Sequence, residues 1–221
     1  MQFAQVNEQR VRPKPSLSGL CPCCGEEVIA KCGSVKIWHW AHKSKSHCDA
    51  WYENETVWHR TWKNQFSADW SEIVHCSTSG EKHVADVKTE SGLVIEFQHS
   101  HISVDERLSR EKFYEQMIWV VDGTRLKRDQ GSFIPYICNE RRRRSPSGAI
   151  KFNLYVPQIT RRWIDSSKLV YFDFGDDNLW CFSNYRGNWQ GYVHKITKLE
   201  FVESCTAGYK LAGFFPRAGE E

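Results

Sequence analysis

The chain has 221 residues with 40% hydrophobic content and a formal net charge of +3 at pH 7, which is enough hydrophobic material for a sizeable core. It shows no secretory signal sequence and no long apolar segment, and its nine cysteines are an odd number. A disulfide framework and a membrane association are therefore not expected, and we predict a protein of the reducing cytoplasm.

The first predicted element is a cysteine knuckle near the amino terminus. Cys21 and Cys24 have the C-x-x-C spacing at which two thiolates bind one cation. Four residues could complete the site, namely His39, His42, His47 and Cys48. Spacing permits either His39 with His42 or His42 with Cys48, and we favour the second set with His39 as the alternative ligand. Mixed cysteine and histidine ligands indicate structural zinc, whereas free structural thiols are the other interpretation.

A helix is predicted over residues 51–66. Four aromatic residues recur there at helical spacing, namely Trp51, Trp58, Trp62 and Phe66. Glu55, His59 and Lys63 are four residues apart and would share one face of this helix. Such a face could supply a metal ligand and a phosphate contact to a neighbouring site. The alternative is a surface row of ion pairs, each stabilising by about a few tenths of a kcal/mol.

Two strands joined by a tight turn at residues 90–92 are predicted between His83 and Ser100. Alternation of side chains places Glu96 and Gln98 on one face of the second strand, and a hairpin would place Asp86 across from Glu96. Two adjacent carboxylates repel each other unless a cation lies between them, and Mg²⁺ prefers one or two carboxylates with waters and phosphate oxygens. We therefore predict a metal site for phosphodiester hydrolysis, in which Gln98 orients the attacking water or contacts the phosphate. The alternative is an exposed hairpin with ordinary surface acids.

A further helix and strand follow. Ser103 is a predicted N-cap with Glu106 in the capping-box position, and the helix is expected to run to about Gln116 with Arg110 on it. Residues 117–121 form a continuous apolar run that indicates a buried strand. The order helix, strand, strand, helix, strand is compatible with an α/β nuclease core.

The last third of the chain begins after a run of four arginines, Arg141 to Arg144, which would attract backbone phosphates or form a solvated loop. Turn-forming residues at 145–148 indicate a boundary. Beyond it, strands are predicted at 168–173 and 178–182, with aromatic side chains mostly in the core. Tyr185 and Trp189 could instead stack on bases. We predict three parts: residues 1–50 as a zinc-binding module, 51–144 as a nuclease core and 145–221 as a β-rich region.

Together these motifs resemble the PD-(D/E)XK nuclease superfamily and, within it, the CoiA-like family of competence proteins. The matching segments span about residues 20 to 122 and comprise Cys21-Pro-x-Cys24-Gly, His39-Trp-Ala-His42, Glu55-x-x-x-His59-x-x-x-Lys63, Ala85-Asp86-Val87, Ile95 to Ser103, Arg110-x-x-x-Tyr114 and Ile118 to Val121. The resemblance implies that Asp86 and Glu96 are metal ligands and that Glu55 is the acid of the helix. Gln98 occupies the position usually held by the motif lysine. Because glutamine carries no charge, transition-state stabilisation would depend more on the metal.

We therefore expect an α/β (α+β) protein with a PD-(D/E)XK restriction-endonuclease-like core, an N-terminal zinc module and a β-rich C-terminal extension. Its expected activity is Mg²⁺- or Mn²⁺-dependent DNA cleavage in DNA uptake or phage defence. The predicted catalytic residues are Glu55, Asp86, Glu96 and Gln98, and the predicted phosphate- or DNA-binding residues are His59, Lys63 and Arg110. The predicted zinc ligands are Cys21, Cys24, His42 and Cys48. DNA, a second copy of the chain and a competence or defence protein are the expected partners. The alternative is a nuclease-derived nucleic-acid-binding module that no longer cleaves.

Overall fold

The computed structural model describes residues 1–44, 48–139, 148–153, 156–184 and 190–208. The fold is α+β, and the chain divides into two compact units, Met1–Lys88 and Thr89–Glu221. The expected fold class is confirmed. Within the described ranges, no helix is long and apolar enough to cross a membrane.

The first unit begins with a five-stranded antiparallel sheet of order β2-β1-β3-β4-β5. Its strands are β1 (Ala4–Val6), β2 (Gln9–Val11), β3 (Ser18–Leu20), β4 (Glu27–Lys31) and β5 (His39–His42). Asn7 and Glu8 join β1 to β2 with positive φ angles of 49° and 64°, as a two-residue hairpin turn requires. Trp40 and Val28 are fully buried in the core of this sheet.

Helix α1 (Val57–Lys63) is shorter than the helix predicted over residues 51–66. The expected start at Trp51 is wrong because Thr56 is the N-cap: its backbone is extended, and its side chain accepts a hydrogen bond from the backbone N–H of His59. Trp51 lies outside the helix and stacks on His83, with ring centroids 3.2 Å apart. The aromatic residues of the predicted segment therefore recur at helical spacing, although only Val57–Lys63 form the helix.

A short 3₁₀ turn (Ala68–Trp70) leads into β6 (Ser71–Cys76), which pairs antiparallel with β7 (Lys82–Lys88). The sequence predicted β7 but not β6. Asp49 reaches β7, because its carboxylate accepts a hydrogen bond from Val84 N at 2.8 Å and lies 2.7 Å from His83 Nδ1.

The second unit contains a mixed sheet of order β10-β13-β12-β11-β9-β8. Three neighbouring strands are parallel: β8 (Val94–Gln98), β9 (Met117–Asp122) and β11 (Val170–Asp173). Every residue of β8, β9 and β11 is buried, as is usual for parallel strands. The remaining strands are antiparallel: β10 (Ile150–Asn153), β12 (Asn178–Asn184) and β13 (Gln190–Thr197).

The helices of this unit are α2 (Val104–Phe113), α3 (Lys127–Ile137), α4 (Gln158–Arg162) and α5 (Lys198–Thr206). The Ser103 cap is confirmed, since its hydroxyl accepts a hydrogen bond from Glu106 N at 3.1 Å. The predicted tight turn before β8 is also present: Gly92 N donates to Thr89 O at 2.9 Å, and Gly92 has a φ of +85°. The strands predicted at 117–121, 168–173 and 178–182 are confirmed as β9, β11 and β12. The domain boundaries at residues 50 and 144 stay a prediction.

Candidate functional site

A lysine buried among carboxylates lies in the first unit. Lys63 Nζ is 2.9 Å from Glu55 Oε1, 3.0 Å from Glu72 Oε1 and 3.6 Å from Asp86 Oδ1. Burial alone would lower the pKa of Lys63, but the three carboxylates outweigh it and raise that pKa above its usual value. Lys63 is therefore charged, and it holds together acids from three separate segments. We call these four residues the Lys63 cluster.

Glu55 is bound by a second cation. Arg60 Nε lies 2.9 Å from Glu55 Oε1, and Arg60 Nη2 lies 2.7 Å from Glu55 Oε2. Burial would raise the pKa of Glu55, but the hydrogen bonds from Arg60 and the charge of Lys63 hold it well below the usual range. Glu55 precedes the N-cap of α1, so it reaches Lys63 from the loop and not from the face of a helix.

Glu72 is the member of the cluster that sequence reasoning missed. Its carboxylate accepts hydrogen bonds from the backbone N–H groups of Gln2, at 2.7 and 2.8 Å, and Phe3, at 3.2 Å. Burial opposes its ionisation, yet the charge of Lys63 lowers its pKa. Glu72 also has a φ of +51°, a conformation uncommon for residues other than glycine. No motif spacing connects Glu72 to the other acids, and the strand that carries it was not predicted.

Asp86 is the carboxylate of the cluster that solvent reaches most readily. Its side chain is 24% exposed, compared with 6% for Glu55 and 8% for Glu72. It lies on β7, which is fixed in register against β6. Carboxylate oxygens are the donors that Mg²⁺ and Mn²⁺ prefer, so the donor chemistry of Asp86 fits such a cation.

His59 has a partner at each ring nitrogen. Nδ1 is the acceptor for Thr56 N at 3.3 Å, and Nε2 lies 3.1 Å from Glu53 Oε2. Burial would lower the pKa of His59, but the contact with Glu53 and the charge of Asp86 raise it. The ring thus completes the capping box of α1. Its predicted role in DNA binding, like that of Lys63, stays a prediction.

The second unit holds the other predicted acid. Glu96 is buried on β8, and its Oε2 lies 3.0 Å from Arg110 Nη1 of α2. Arg110 Nε also donates to Glu106 Oε1 at 3.1 Å. The Arg110 side chain is 7% exposed, and in this structure it binds carboxylates at the place where a phosphate contact was predicted. Gln98 Nε2 donates to Ser100 O at 3.3 Å.

Glu55, Lys63 and Asp86 are thus brought together within the first unit, and Glu96 and Arg110 within the second. The alternation of β8 also places Gln98 on the same face of the strand as Glu96. That Asp86 and Glu96 bind one cation stays a prediction from the sequence.

A cysteine and histidine cluster lies beside the five-stranded sheet. One ligand atom from each of Cys21, Cys24, His42 and Cys48 lies within 4.8 Å of all the others. Cys21 Sγ is 3.6 Å from Cys48 Sγ, and Cys24 Sγ is 3.3 Å from His42 Nε2. His39 is not in this group, and its Nδ1 lies 2.8 Å from Ile37 O. Three sulfurs and one imidazole nitrogen at this separation fit a structural zinc site.

The electrostatics of these thiols also fit a cation site. Burial and the neighbouring Cys21 raise the pKa of Cys48, because two thiolates side by side repel each other. Zinc would replace the thiol protons, so its binding should be coupled to proton release. Cys23 is buried in the sheet core, and Cys32 is half-buried outside the group.

Some residues singled out in the sequence lie outside the described residues. They are His47, the arginine run Arg141 to Arg144, and the aromatic residues Tyr185 and Trp189.

Comparison with known proteins identifies similar families and one curated relative. Residues 8–50 match the family "Competence protein CoiA, N-terminal domain", and residues 77–173 match "Competence protein CoiA, nuclease-like domain". A curated relative, "Competence protein CoiA" of Bacillus subtilis (strain 168), is 30% identical over 126 residues, covering 51% of this chain and 34% of the relative. The chain thus spans about a third of that relative's length. No solved structure matches the chain significantly. Because it contains both CoiA domain types and resembles a curated CoiA protein, the chain belongs to the CoiA-like family.

Proposed function

We propose that this chain is a metal-dependent DNA endonuclease that hydrolyses phosphodiester bonds with Mg²⁺ or Mn²⁺. The Lys63 cluster is the observation that carries the proposal. It joins three residues of the predicted site, and they come from positions 55, 63 and 86 of a chain with a nuclease-like domain. Burying a lysine among three acids costs desolvation free energy, so such a cluster is more typical of a functional site than of a surface ion-pair row.

In this proposal Asp86 and Glu96 are the metal ligands. When bound, the cation would lower the pKa of a water molecule and offset negative charge on the phosphate. Lys63 would hold Asp86 in place from the buried side, and Glu55 would in turn hold Lys63. Arg110 would do the same for Glu96. Gln98 would orient the attacking water through its amide, since it lacks the charge to stabilise the phosphate directly.

The four-residue Cys/His group would bind one structural zinc ion. A closed site with four protein ligands leaves no open position for a substrate, so its contribution would be to the folding of the N-terminal sheet.

The biological setting belongs to the proposal as well. Processing of incoming DNA during competence is favoured by the matched families, and phage defence is the other expected setting. A cytoplasmic location, a homodimer that cuts both strands and a competence or defence partner protein are proposed on the same basis.

A binding module without cleavage activity is the second candidate function. The observation that favours it is Gln98, which stands where a charged lysine is usual. An inactive descendant would keep its affinity for DNA and its fold but lose the metal-dependent step.

A cleavage assay separates the two functions. Supercoiled plasmid and single-stranded DNA would be incubated with the protein in Mg²⁺, Mn²⁺ or EDTA, beside an Asp86→Ala/Glu96→Ala variant. We expect cutting in Mg²⁺ or Mn²⁺, none in EDTA and none by the variant. DNA binding without cutting in either metal would favour the binding module, and cutting by the variant would show that the site is misassigned.

A further inference from the structure

A second polar site lies where parallel strands of the second unit end. The carboxyl ends of β8, β9 and β11 lie at one edge of the sheet, since Gln98 is in register with Val121 and Asp122 with Asp173. His99 directly follows β8, and Asp122 is the last residue of β9. The carboxyl edge of parallel strands is where α/β sheets usually bind their ligands.

His99 is oriented by a buried carboxylate. His99 Nδ1 lies 2.7 Å from Asp122 Oδ2, and the side chain of Asp122 is only 3% exposed. The other oxygen of Asp122 accepts hydrogen bonds from Thr124 N at 2.8 Å and Thr124 Oγ1 at 2.7 Å. These contacts fix the carboxylate and so fix the imidazole ring, much as a carboxylate orients a functional histidine in other sites. The His99 side chain is 31% exposed, so the oriented ring reaches the surface.

Guanidinium and imidazole groups lie on the exposed side of a cleft beside His99. A small cleft of about 30 Å³ that opens to solvent is lined in part by Gln98, His99, His101, Arg125, Arg162 and the two acids Asp122 and Asp129. Both acids are buried, with side chains 3% exposed, and Asp129 pairs with Arg162. A ligand entering the cleft would therefore meet imidazole and guanidinium groups first, with the carboxylates behind them. This arrangement favours an anion.

We propose that this cleft binds a phosphate group of the nucleic acid beside Gln98, with His99 as a binding residue and Asp122 as the residue that positions it. The inference rests on the proposed action of the chain on nucleic acid and adds a subsite to it. Gln98 lines the cleft and belongs to the predicted catalytic motif, so the bound phosphate would be a neighbour of the one that is cleaved. Arg125 is exposed at the rim and would supply a second contact.

A binding assay without cleavage tests the subsite. The affinity of the full chain for a short fluorescein-labelled DNA, single-stranded or duplex, would be measured without added Mg²⁺ or Mn²⁺ over a series of salt concentrations. We expect His99→Ala to weaken binding about tenfold, as loss of a hydrogen bond to a charged group does. Arg125→Ala should weaken binding as well, and because it removes a permanent charge it should reduce the slope of log Kd against log salt by about one, which a purely structural role would not do.

Three further variants distinguish a binding role from a structural one. Asp122→Asn preserves the shape of the side chain and should weaken binding less than His99→Ala, while His99→Gln, which retains a hydrogen-bond donor, should restore part of the loss. Lys112→Ala removes an exposed cation on α2 outside the cleft and should bind like the wild type. Circular dichroism would confirm that each variant is folded.

The outcomes separate this inference from the proposed nuclease. If wild-type protein cuts DNA in Mg²⁺ while His99→Ala and Arg125→Ala match Lys112→Ala in affinity and in KM, the subsite is wrong and the nuclease stands. If nothing cuts but His99→Ala loses affinity and Arg125→Ala loses both affinity and salt slope, the subsite stands and the nuclease is contradicted. Wild-type protein that binds neither DNA overturns the subsite.

Discussion

Lys63 Nζ lies 3.6 Å from Asp86 Oδ1, and this contact joins a side chain that is 4% exposed to one that is 24% exposed. The lysine is thus the buried partner of the most exposed acid in the Lys63 cluster. The buried carboxylates of Glu55 and Glu72 stabilise the charged form of Lys63. The position of Asp86 therefore depends on a network that extends into the interior, and a change at Lys63 should affect both stability and cleavage.

The change Lys63→Met should destabilise the protein by about 3–5 kcal/mol, because it removes the buried cation beside Glu72 and leaves Glu55 with Arg60 alone. The free energy of unfolding, measured with urea, would show this. Lys43→Met is the matched control, since Lys43 pairs with Glu27 where both side chains are more than half exposed. It should change stability by less than about 0.5 kcal/mol. Equal effects of the two variants would contradict the role assigned to Lys63.

The same network should respond to acid. The pKa values of Glu55 and Glu72 are lowered from the ordinary value of 4.5. Their contribution to stability is therefore complete above about pH 4.5 and is lost as the pH falls towards their folded-state pKa values. Wild-type protein should lose stability on acidification below that pH. Lys63→Met should lose less, and urea titrations of both proteins between pH 3 and 6 (roughly the range over which free carboxyls titrate) would measure the difference.

Arg110→Ala should leave Glu96 buried without its cation and destabilise the protein by about 3–5 kcal/mol. If Glu96 is a metal ligand, Mg²⁺ should raise the melting temperature of this variant more than that of the wild type, since the ion replaces the guanidinium. Arg107→Ala is the control: it breaks another buried pair on α2, with Glu111 at 3.2 Å. Mg²⁺ should not rescue it. Rescue of both variants, or of neither, would count against Glu96 as a ligand.

His59 gives a test near neutral pH. Its pKa is raised above the ordinary value of 6.5, chiefly by Glu53, against the opposing effect of burial. A raised pKa means that its contribution to stability is complete below about pH 6.5 and is lost as the pH rises through the folded-state pKa. In Glu53→Gln this loss should shrink. The free energy of unfolding of wild type and Glu53→Gln would be measured from about pH 6 to 8 without added divalent cations. If it changed with pH by the same amount in both proteins, the pairing of His59 with Glu53 would be refuted.

Protein purified without chelator should contain one zinc ion per chain. Cys48→Ser should lower the zinc content and the melting temperature, since zinc binding contributes to the folding of such modules. Cys32→Ser lies in the same module but outside the four-residue group, so it should retain the metal. Zinc-free wild-type protein would contradict the assignment.

Local sequence signals predicted several elements of the second unit, although α2 ends at Phe113 and not at about Gln116, and helices α3, α4 and α5 were not predicted. Ser103 capped a helix, the apolar run at 117–121 formed a buried strand, and residues 168–182 formed a hairpin around Gly175, because each of these elements is specified by neighbouring residues. The start of α1 was wrong, since the aromatic period from Trp51 suggested a helix that the Thr56 cap prevents. The other features of the site depend on contacts between residues that are distant in the sequence.

Glu72 and the His99–Asp122 pair show what local patterns do not contain. Glu72 meets Lys63 only because β6 returns beside α1, and its backbone partners, Gln2 and Phe3, are about seventy residues away. No sequence motif singled out Asp122, which directly follows the apolar run at 117–121. Its contact with His99 follows from the parallel register of β8 and β9, which spacing along the chain does not encode.

The most direct test of the central proposal is the initial rate of nicking of supercoiled plasmid in Mg²⁺ by wild-type protein and by Asp86→Asn. This change keeps the size of the side chain and removes the charge that would bind the cation. Glu81→Gln, which alters an exposed acid near the start of the same strand, serves as the folded control. We predict that wild type and Glu81→Gln nick DNA at similar rates and that Asp86→Asn is slower by at least about a hundredfold, as removal of a group that stabilises the transition state commonly gives. Nicking by Asp86→Asn at the wild-type rate would contradict the account.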